Sequence, residues 1–149
     1  MLFTDHTLTY KNVASKLYRF APEELEMAFE DFAGILENNG YNPTGDLFFC
    51  IISNPLEDEI MTAEIFLPIE EDRIDLPESE NVHFRSYFYL KNMVMSRVME
   101  NFDEFSQYTF WEIVECIERS NQTQSTPMFV VYKQSPSGKT YVEMSAGAE

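Results

Sequence analysis

Two glutamates stand alone among apolar residues in segments that alternate like β-strands. Glu64 is flanked by alanine and isoleucine, and Glu143 is flanked by valine and methionine. Because an unpaired carboxylate is costly to bury, each must face solvent, a cleft or a cation. A partly shielded carboxylate would attract a cationic ligand, but a solvated sheet edge or a local basic partner would satisfy it equally.

A second polar feature lies on the segment 83–90, which reads HFRSYFYL and predicts a strand. Alternation places Arg85, Tyr87 and Tyr89 on one face. Such a face could line an apolar pocket with a few polar anchors, and tyrosine rings attract cations. The alternative is a face covered by a loop or by a second subunit, with an Arg–Glu pair stabilising it. The predicted ligand-binding residues are Glu64, Phe66, Arg85, Tyr87, Tyr89, Tyr141 and Glu143.

One tryptophan breaks the pattern of the predicted helix 102–119. Trp111 falls on the charged face of that helix, among glutamates, with Tyr108 nearby. Exposed aromatic side chains anchor protein interfaces, so Tyr108 and Trp111 are predicted partner-interface residues. Alternatively, the acidic loop or the chain terminus folds over Trp111.

The residues that usually carry catalysis or bind metals form no motif. His6 and His83 are far apart and have no ligand spacing, and the five glycines are scattered. Cys50 and Cys116 fall on apolar faces and are predicted to be small buried hydrophobes. We therefore predict no enzyme activity, no metal and no cofactor.

The strongly negative net charge of the chain indicates which kinds of molecule it can bind. The 149 residues include 10 Lys and Arg against 26 Asp and Glu, a net charge of −16. This charge repels phosphates, so nucleic-acid binding is not expected, whereas a basic protein or a lipophilic cation is a natural partner. No apolar run approaches the roughly 20 residues that a membrane helix needs, so we expect a cytoplasmic protein that does not contact membranes.

The elements that must position these residues occur in two similar series. Residues 1–20 predict a strand broken near Asn12. Residues 22–38 predict a helix that begins at Pro22 and ends before Gly40. A hairpin follows over 45–72, with its turn at Ser53-Asn54-Pro55 and a first strand that is apolar on both faces.

The second series begins after an acidic loop, 70–82, which is predicted to lack regular structure. The strand 83–90 is followed by 91–100, predicted as a short helix or a loop. The helix 102–119 has a predicted core stripe that includes Phe105. A last hairpin comprises 128–133 and 140–146.

The order strand, helix, hairpin therefore occurs twice and predicts a duplicated β-α-β-β unit. The expected fold is α+β, an antiparallel sheet with two helices on one face. We expect a single domain, 1–149, with two pseudo-repeats, about 1–72 and 83–149, joined by the loop 70–82.

This order resembles the bacterial effector-binding fold of gyrase-inhibitor-like proteins and of the ligand domains of multidrug-responsive regulators. The strings GDLFFCIISNP, AEIFLPIEED, HFRSYFYLKNMV and PMFVVYK are similar to a family of uncharacterised proteins from Gram-positive bacteria, whose genes often lie near LXG-type toxins and type VII secretion components. The resemblance implies a cleft in which aromatic rings and a buried glutamate hold lipophilic cations. That glutamate commonly lies in the segment that reads PMFVVYK here, where this chain has Val130, which leaves Glu64 and Glu143 as the candidates.

Three functions remain open from the sequence. The first is a non-enzymatic domain that binds a small, lipophilic or cationic ligand. The second is an acidic interaction protein, such as an accessory or neutralising partner of a secreted toxin. The third is a subunit whose exposed sheet face forms a homodimer.

Overall fold

Six strands and two α-helices make up the computed structural model, which describes residues 1–54 and 58–149. In chain order they are β1 (Leu2–Phe20), α1 (Leu25–Asn38), β2 (Phe48–Ile51), β3 (Met61–Pro68), β4 (Val82–Val98), α2 (Phe102–Arg119), β5 (Met128–Gln134) and β6 (Thr140–Gly147). The α+β class, the antiparallel pairing and the repeated β-α-β-β order are confirmed. Pro55, in the predicted hairpin turn, lies outside the described residues.

The chain forms two compact units, Thr9–Phe88 and Met1–Leu8 with Tyr89–Glu149. The division falls within β1 and β4, because both strands are long enough to contribute to each unit. The units therefore group residues differently from the predicted halves, 1–72 and 83–149. The acidic loop 70–82, for which no regular structure was predicted, contains a one-turn 3-10 helix at Glu78–Glu80.

In the Thr9–Phe88 unit, β3 pairs with β1 along one edge and with β2 along the other. Glu64 stands opposite Leu17 of β1 and Cys50 of β2. Cross-strand neighbours project to the same side of a sheet, so these three side chains share a face. Phe48, Phe49 and Cys50 are all buried, as expected for a strand that is apolar on both faces.

Helix α1 covers the other face of this unit. Its ring contacts are Phe29 with Phe49 and Phe32 with Tyr18. Since Phe49 and Tyr18 alternate with Cys50 and Leu17, Glu64 points away from the helix.

The end of α1 follows the prediction. Gly40 has φ +83°, which a residue with a side chain adopts only with strain. The N–H groups of Gly40 and Tyr41 donate to the carbonyls of Glu37 and Leu36, so the glycine closes the helix.

In the other unit, β6 pairs with β4 and β5, and Glu143 stands opposite Arg97 and Val131. Helix α2 packs on β6, and Ser96 of β4 donates to Glu112 of α2 at 3.4 Å. Arg97 and Glu143 therefore project from the face opposite α2.

Two sequence predictions in this unit are wrong. The segment 91–100 is neither a helix nor a loop, because β4 continues to Val98 and pairs with β6 over Met93–Val98. β4 runs continuously through Asn92, which has φ +56°. β1 likewise continues through Asn12, the predicted break, where φ is +55°. Phe105, predicted as core, is exposed.

Candidate functional site

Glu64 lies in a small polar cluster on the helix-free face of the Thr9–Phe88 unit. Its Oε2 accepts a hydrogen bond from Ser15 Oγ at 2.7 Å and one from Arg85 Nη1 at 3.3 Å. Arg85 Nη1 also donates to Ser15 Oγ at 3.2 Å. The side chains of Glu64 and Arg85 are 20% and 44% exposed. Carboxylate, hydroxyl and guanidinium thus meet where the unit borders solvent.

Aromatic rings form the floor of this cluster. The Arg85 guanidinium carbon lies 5.6 Å from the centre of the Phe66 ring, a cation–π distance. Phe66 stacks on Phe48 with centroids 4.7 Å apart, and both rings meet Phe88 edge-on at 5.3 Å. Phe66, predicted to contact a ligand, is therefore buried beneath Arg85 and supports the site from below.

The cross-strand neighbours of Glu64 differ in exposure. Leu17 is 53% exposed and offers apolar surface next to the carboxylate. Cys50 is buried as predicted, and the pKa of its thiol is raised to about 12, chiefly by burial. The negative charge of Glu64 contributes to this rise, because it disfavours a second anion beside it.

Glu143 holds the corresponding position in the other unit, on the second strand of the hairpin. Its Oε2 accepts a hydrogen bond from Arg97 Nε at 2.9 Å, and the Arg97 guanidinium carbon lies 5.0 Å from the centre of the Phe3 ring. The side chains of Glu143 and Arg97 are 9% and 45% exposed. Because the two residues are cross-strand neighbours, the strand pairing itself holds them together.

His6 lies near this second pair. Its Nε2 is buried and has no hydrogen-bond partner among the residues that the structure describes. Burial lowers the pKa of His6; the charge of Glu143 opposes this shift, and the charges of Lys133 and Arg97 reinforce it. The imidazole is therefore neutral at pH 7.

The three predicted tyrosines are divided between the units. Tyr87 belongs to the Thr9–Phe88 unit, and Tyr89 and Tyr141 belong to the other. Tyr87 and Tyr89 are about half exposed, and Tyr141 is partly buried opposite Lys133. Of the predicted ligand residues, the structure therefore brings together Glu64, Phe66 and Arg85. Tyr141 and Glu143 share a strand face in the other unit.

The two predicted interface residues are exposed on α2. The Trp111 ring contacts only its neighbour Phe110 among the ring pairs described, edge-on at 5.4 Å. Tyr108 lines an open groove of about 290 Å³ together with Met99 and Phe105, all three exposed. Glu100, Glu112 and Arg97 also line the groove, so its lining combines exposed apolar side chains with charged ones.

Ser15 and Arg97 are functional-site residues that were not predicted from the sequence. Ser15 is a polar residue in a buried stretch of β1, but only the pairing of β1 with β3 places it beside Glu64. Arg97 was missed because its segment was not interpreted as a strand. The alternation of Met93 and Met95 with smaller apolar residues was the signal that could have revealed it.

Within residues 1–54 and 58–149, no group of three or more His, Cys, Asp or Glu side chains is placed to hold a metal ion. Over the same described ranges, the helices are too short or too polar to cross a membrane.

Seventeen solved chains match this one, including two structures of EcmrR. A cryo-electron microscopy structure of an EcmrR–DNA complex matches 99% of this chain and 57% of its own, with TM-score 0.75 and 11% identity. The crystal structure of the EcmrR C-terminal domain matches over 97% of this chain and 98% of its own, with TM-score 0.71 and 10% identity. This chain thus spans little more than half of the EcmrR chain in the DNA complex and nearly all of the EcmrR C-terminal domain. The likeness is one of fold and is consistent with the predicted effector-binding fold.

No curated protein matches this chain in sequence. Residues 9–147, most of the chain, match the family model of a domain of unknown function, DUF5085. The protein belongs to the DUF5085 family.

Proposed function

We propose that this protein is a non-enzymatic domain that binds a small cationic ligand at Glu64. One observation carries the proposal: the Glu64 carboxylate is partly shielded, is bonded to an arginine whose guanidinium lies over the Phe66 ring, and has the exposed Leu17 beside it. A cation with an apolar body would contact the Glu64 carboxylate, the face of the Phe66 ring and the apolar side chain of Leu17 at the same time.

Glu143 is the less suitable of the two predicted acids. Its side chain is 9% exposed, and Arg97 already engages it at 2.9 Å through a bond that the strand register fixes. A ligand would have to break this pair and leave a buried carboxylate temporarily unpaired, which is costly. We therefore propose that Glu143 stabilises the fold and that Glu64 binds the ligand.

The fold supports a binding role without specifying the ligand. The EcmrR structures share this fold, and the DNA in one of them belongs to that complex. A net charge of −16 opposes phosphate binding, so we propose no nucleic-acid contact for this chain.

The same site offers little for catalysis. Glu64 is engaged by Ser15 and Arg85, and the neighbouring Cys50 thiol has a pKa of about 12, so it is not an activated nucleophile. Binding without turnover is the simpler function for this arrangement.

A thermal-shift experiment tests the proposal. We expect aryl cations to raise the melting temperature of the wild type and of Glu143→Gln, but not of Glu64→Gln, because only Glu64 offers an accessible charge. Gln is the matched replacement because it keeps shape and hydrogen bonding without the charge. Equal shifts in the wild type and Glu64→Gln would contradict the assignment of the site.

A second candidate function is the binding of a basic protein partner, and the groove beside Tyr108 favours it. Exposed apolar side chains next to glutamates match a basic amphipathic segment. The resemblance to proteins encoded near LXG-type toxins makes a cytoplasmic neutralising or accessory role the specific form of this proposal.

Pull-down at low salt against neighbouring gene products tests the partner hypothesis. Tyr108→Ala and Trp111→Ala should abolish capture, and Glu64→Gln should leave it intact. If both variants capture the partner as well as the wild type does, Tyr108 and Trp111 do not form the interface. Light scattering on the free protein separates it from homodimer formation, which predicts twice the monomer mass.

A further inference from the structure

We propose that Arg85 occupies the position of the ligand's charged group, and that the ligand carries a planar N–H-donating cation, a guanidinium or an amidinium, on an apolar body. This inference rests on the proposed function and names its ligand class. The ligand binds by displacing the Arg85 guanidinium from Glu64. Arg85 is therefore a residue that determines specificity and lowers affinity.

Arg85 makes the contacts that such a ligand would need. Its Nη1 lies 3.3 Å from Glu64 Oε2 and 3.2 Å from Ser15 Oγ, and its guanidinium carbon lies 5.6 Å from the centre of the Phe66 ring. One planar cation thus meets a carboxylate, a hydroxyl and an aromatic ring.

The polar atoms of the cluster select for N–H donors. Ser15 Oγ gives its proton to Glu64, so its remaining capacity is to accept, and Glu64 can only accept while ionised. A quaternary ammonium or phosphonium ion has the charge but no N–H. It would leave the buried Ser15 Oγ without a donor and Glu64 with only the one from Ser15, which costs binding free energy.

Arg85 is held loosely enough to be displaced. Its two polar contacts exceed 3.1 Å, longer than the 2.7–2.9 Å typical of charge-assisted N–H···O bonds. Its side chain is 44% exposed, so the guanidinium can move into water without burial of its charge. A ligand would gain contact with Leu17, whose exposed apolar surface adjoins Glu64.

The test compares two probes of similar size, phenylguanidinium and phenyltrimethylammonium, by amide NMR titration of the full chain. We expect phenylguanidinium to bind about five-fold more tightly to Arg85→Met than to the wild type, because an exposed ion pair of modest strength no longer competes. Arg97→Met is the matched control and should leave the affinity unchanged. Glu64→Gln should weaken binding at least about ten-fold.

Two further variants protect the test against misfolding and charge effects. Arg85→Lys keeps a resident cation and should bind phenylguanidinium like the wild type. Arg85→Gln removes the charge but keeps a hydrogen-bond donor, and it replaces Arg85→Met if that variant does not melt cooperatively.

The possible results separate the two proposals. Equal affinities of wild type and Arg85→Met, or equally tight binding of phenyltrimethylammonium, would overturn the inference while ligand binding at Glu64 stands. Binding of neither probe to wild type or Arg85→Met, with aryl cations also inactive in thermal shift, would overturn the proposed function itself.

Discussion

The two units hold the same combination of groups, a glutamate, an arginine and a phenylalanine ring, with opposite consequences. Glu143 and Arg97 are cross-strand neighbours and bond at 2.9 Å. Glu64 is bonded to Arg85 at 3.3 Å, and Arg85 comes from β4, a strand with which β3 has no pairing. An ion pair that the strand register enforces behaves as part of the fold. One that depends on side-chain reach alone can open for a ligand.

Buried serines extend the comparison. Ser15 is fully buried and supports Glu64 through a 2.7 Å hydrogen bond. Ser145 is equally buried, and its hydroxyl has no hydrogen-bond partner among the described residues. Ser145 lies two positions beyond Glu143, just as Phe66 lies two positions beyond Glu64. The Thr9–Phe88 unit therefore has an aromatic floor where the other unit has a small hydroxyl.

The largest expected effect is on cysteine reactivity. Cys116, predicted to be buried, is partly exposed, whereas Cys50 is buried. Cys50 should be alkylated by iodoacetamide at least about a hundred-fold more slowly than Cys116, because burial and a pKa of about 12 leave almost no accessible thiolate. Glu64→Gln in a Cys116→Ser background should speed the reaction of Cys50, since removal of the negative charge lowers the thiol pKa. Mass spectrometry gives the rates; equal rates at the two cysteines would refute the burial of Cys50, and a Cys50 rate unchanged by Glu64→Gln would refute its placement beside Glu64.

The next effect separates the two ion pairs by stability. Arg97→Met should lower the free energy of unfolding by about 2 kcal/mol, because it leaves the buried Glu143 carboxylate unpaired, with the exposed arginine moderating the loss. Arg85→Met should cost less than about 1 kcal/mol, because its pair borders solvent. Urea unfolding measures both. If Arg85→Met loses more unfolding free energy than Arg97→Met, the Glu64 pair and not the Glu143 pair is the one that stabilises the fold.

A smaller effect is expected from one substitution made at both buried serines. Ser15→Ala should lower the free energy of unfolding by about 1 kcal/mol, because Glu64 loses a hydrogen-bond donor. Ser145→Ala removes a hydroxyl that has no described partner and should be neutral or slightly stabilising. Each variant serves as the control of the other in chemical denaturation. Similar losses at both sites would show that Ser145 has an equivalent hydrogen bond.

The smallest effect concerns pH. The pKa of His6 is lowered in the folded state. As pH falls through about 6.5, the ordinary pKa of histidine, His6 therefore takes up a proton in the unfolded chain before it does so in the folded one. The stability that neutral His6 contributes is therefore complete above that value and declines as pH falls toward the folded pKa. The wild type should lose more stability than His6→Gln between about pH 7.5 and about pH 5.5.

The control for the pH experiment is His83→Gln, which removes the other histidine, an exposed one. Denaturation at several pH values provides the comparison. If His6→Gln and wild type show the same pH slope, the buried Nε2 does not perturb the titration of His6.

Local sequence patterns predicted much of the fold. Pro22 and Gly40 marked the limits of the first helical region, and strand alternation placed Glu64 and Phe66 on one face with Arg85. These features depend on residues close together in the chain. The same patterns could not show that Phe66 would be buried beneath Arg85, since this follows from packing against Phe48 and Phe88.

The features that escaped prediction depend on distant partners. Residues 91–100 are rich in methionine and basic residues that suit a helix, but pairing with β6 extends them as a strand and places Arg97 opposite Glu143. Ser15 meets Glu64 only because β1 pairs with β3, 49 residues away in sequence. Strand pairing across such separations leaves no periodic signal in either segment, so the hydrogen bond of Ser15 to Glu64 could not be identified without the structure.

The most direct test of the central claim is an amide NMR titration of the wild-type chain with phenylguanidinium. If Glu64 is the ligand site, the largest shift changes should fall on Leu17 and Cys50, the cross-strand neighbours of Glu64, and on Ser15, its hydrogen-bond donor. The amides of Val131 and Arg97, the corresponding neighbours of Glu143, should move little. Shift changes centred on Val131 and Arg97 would contradict the account, because they would make the register-fixed pair the one that opens.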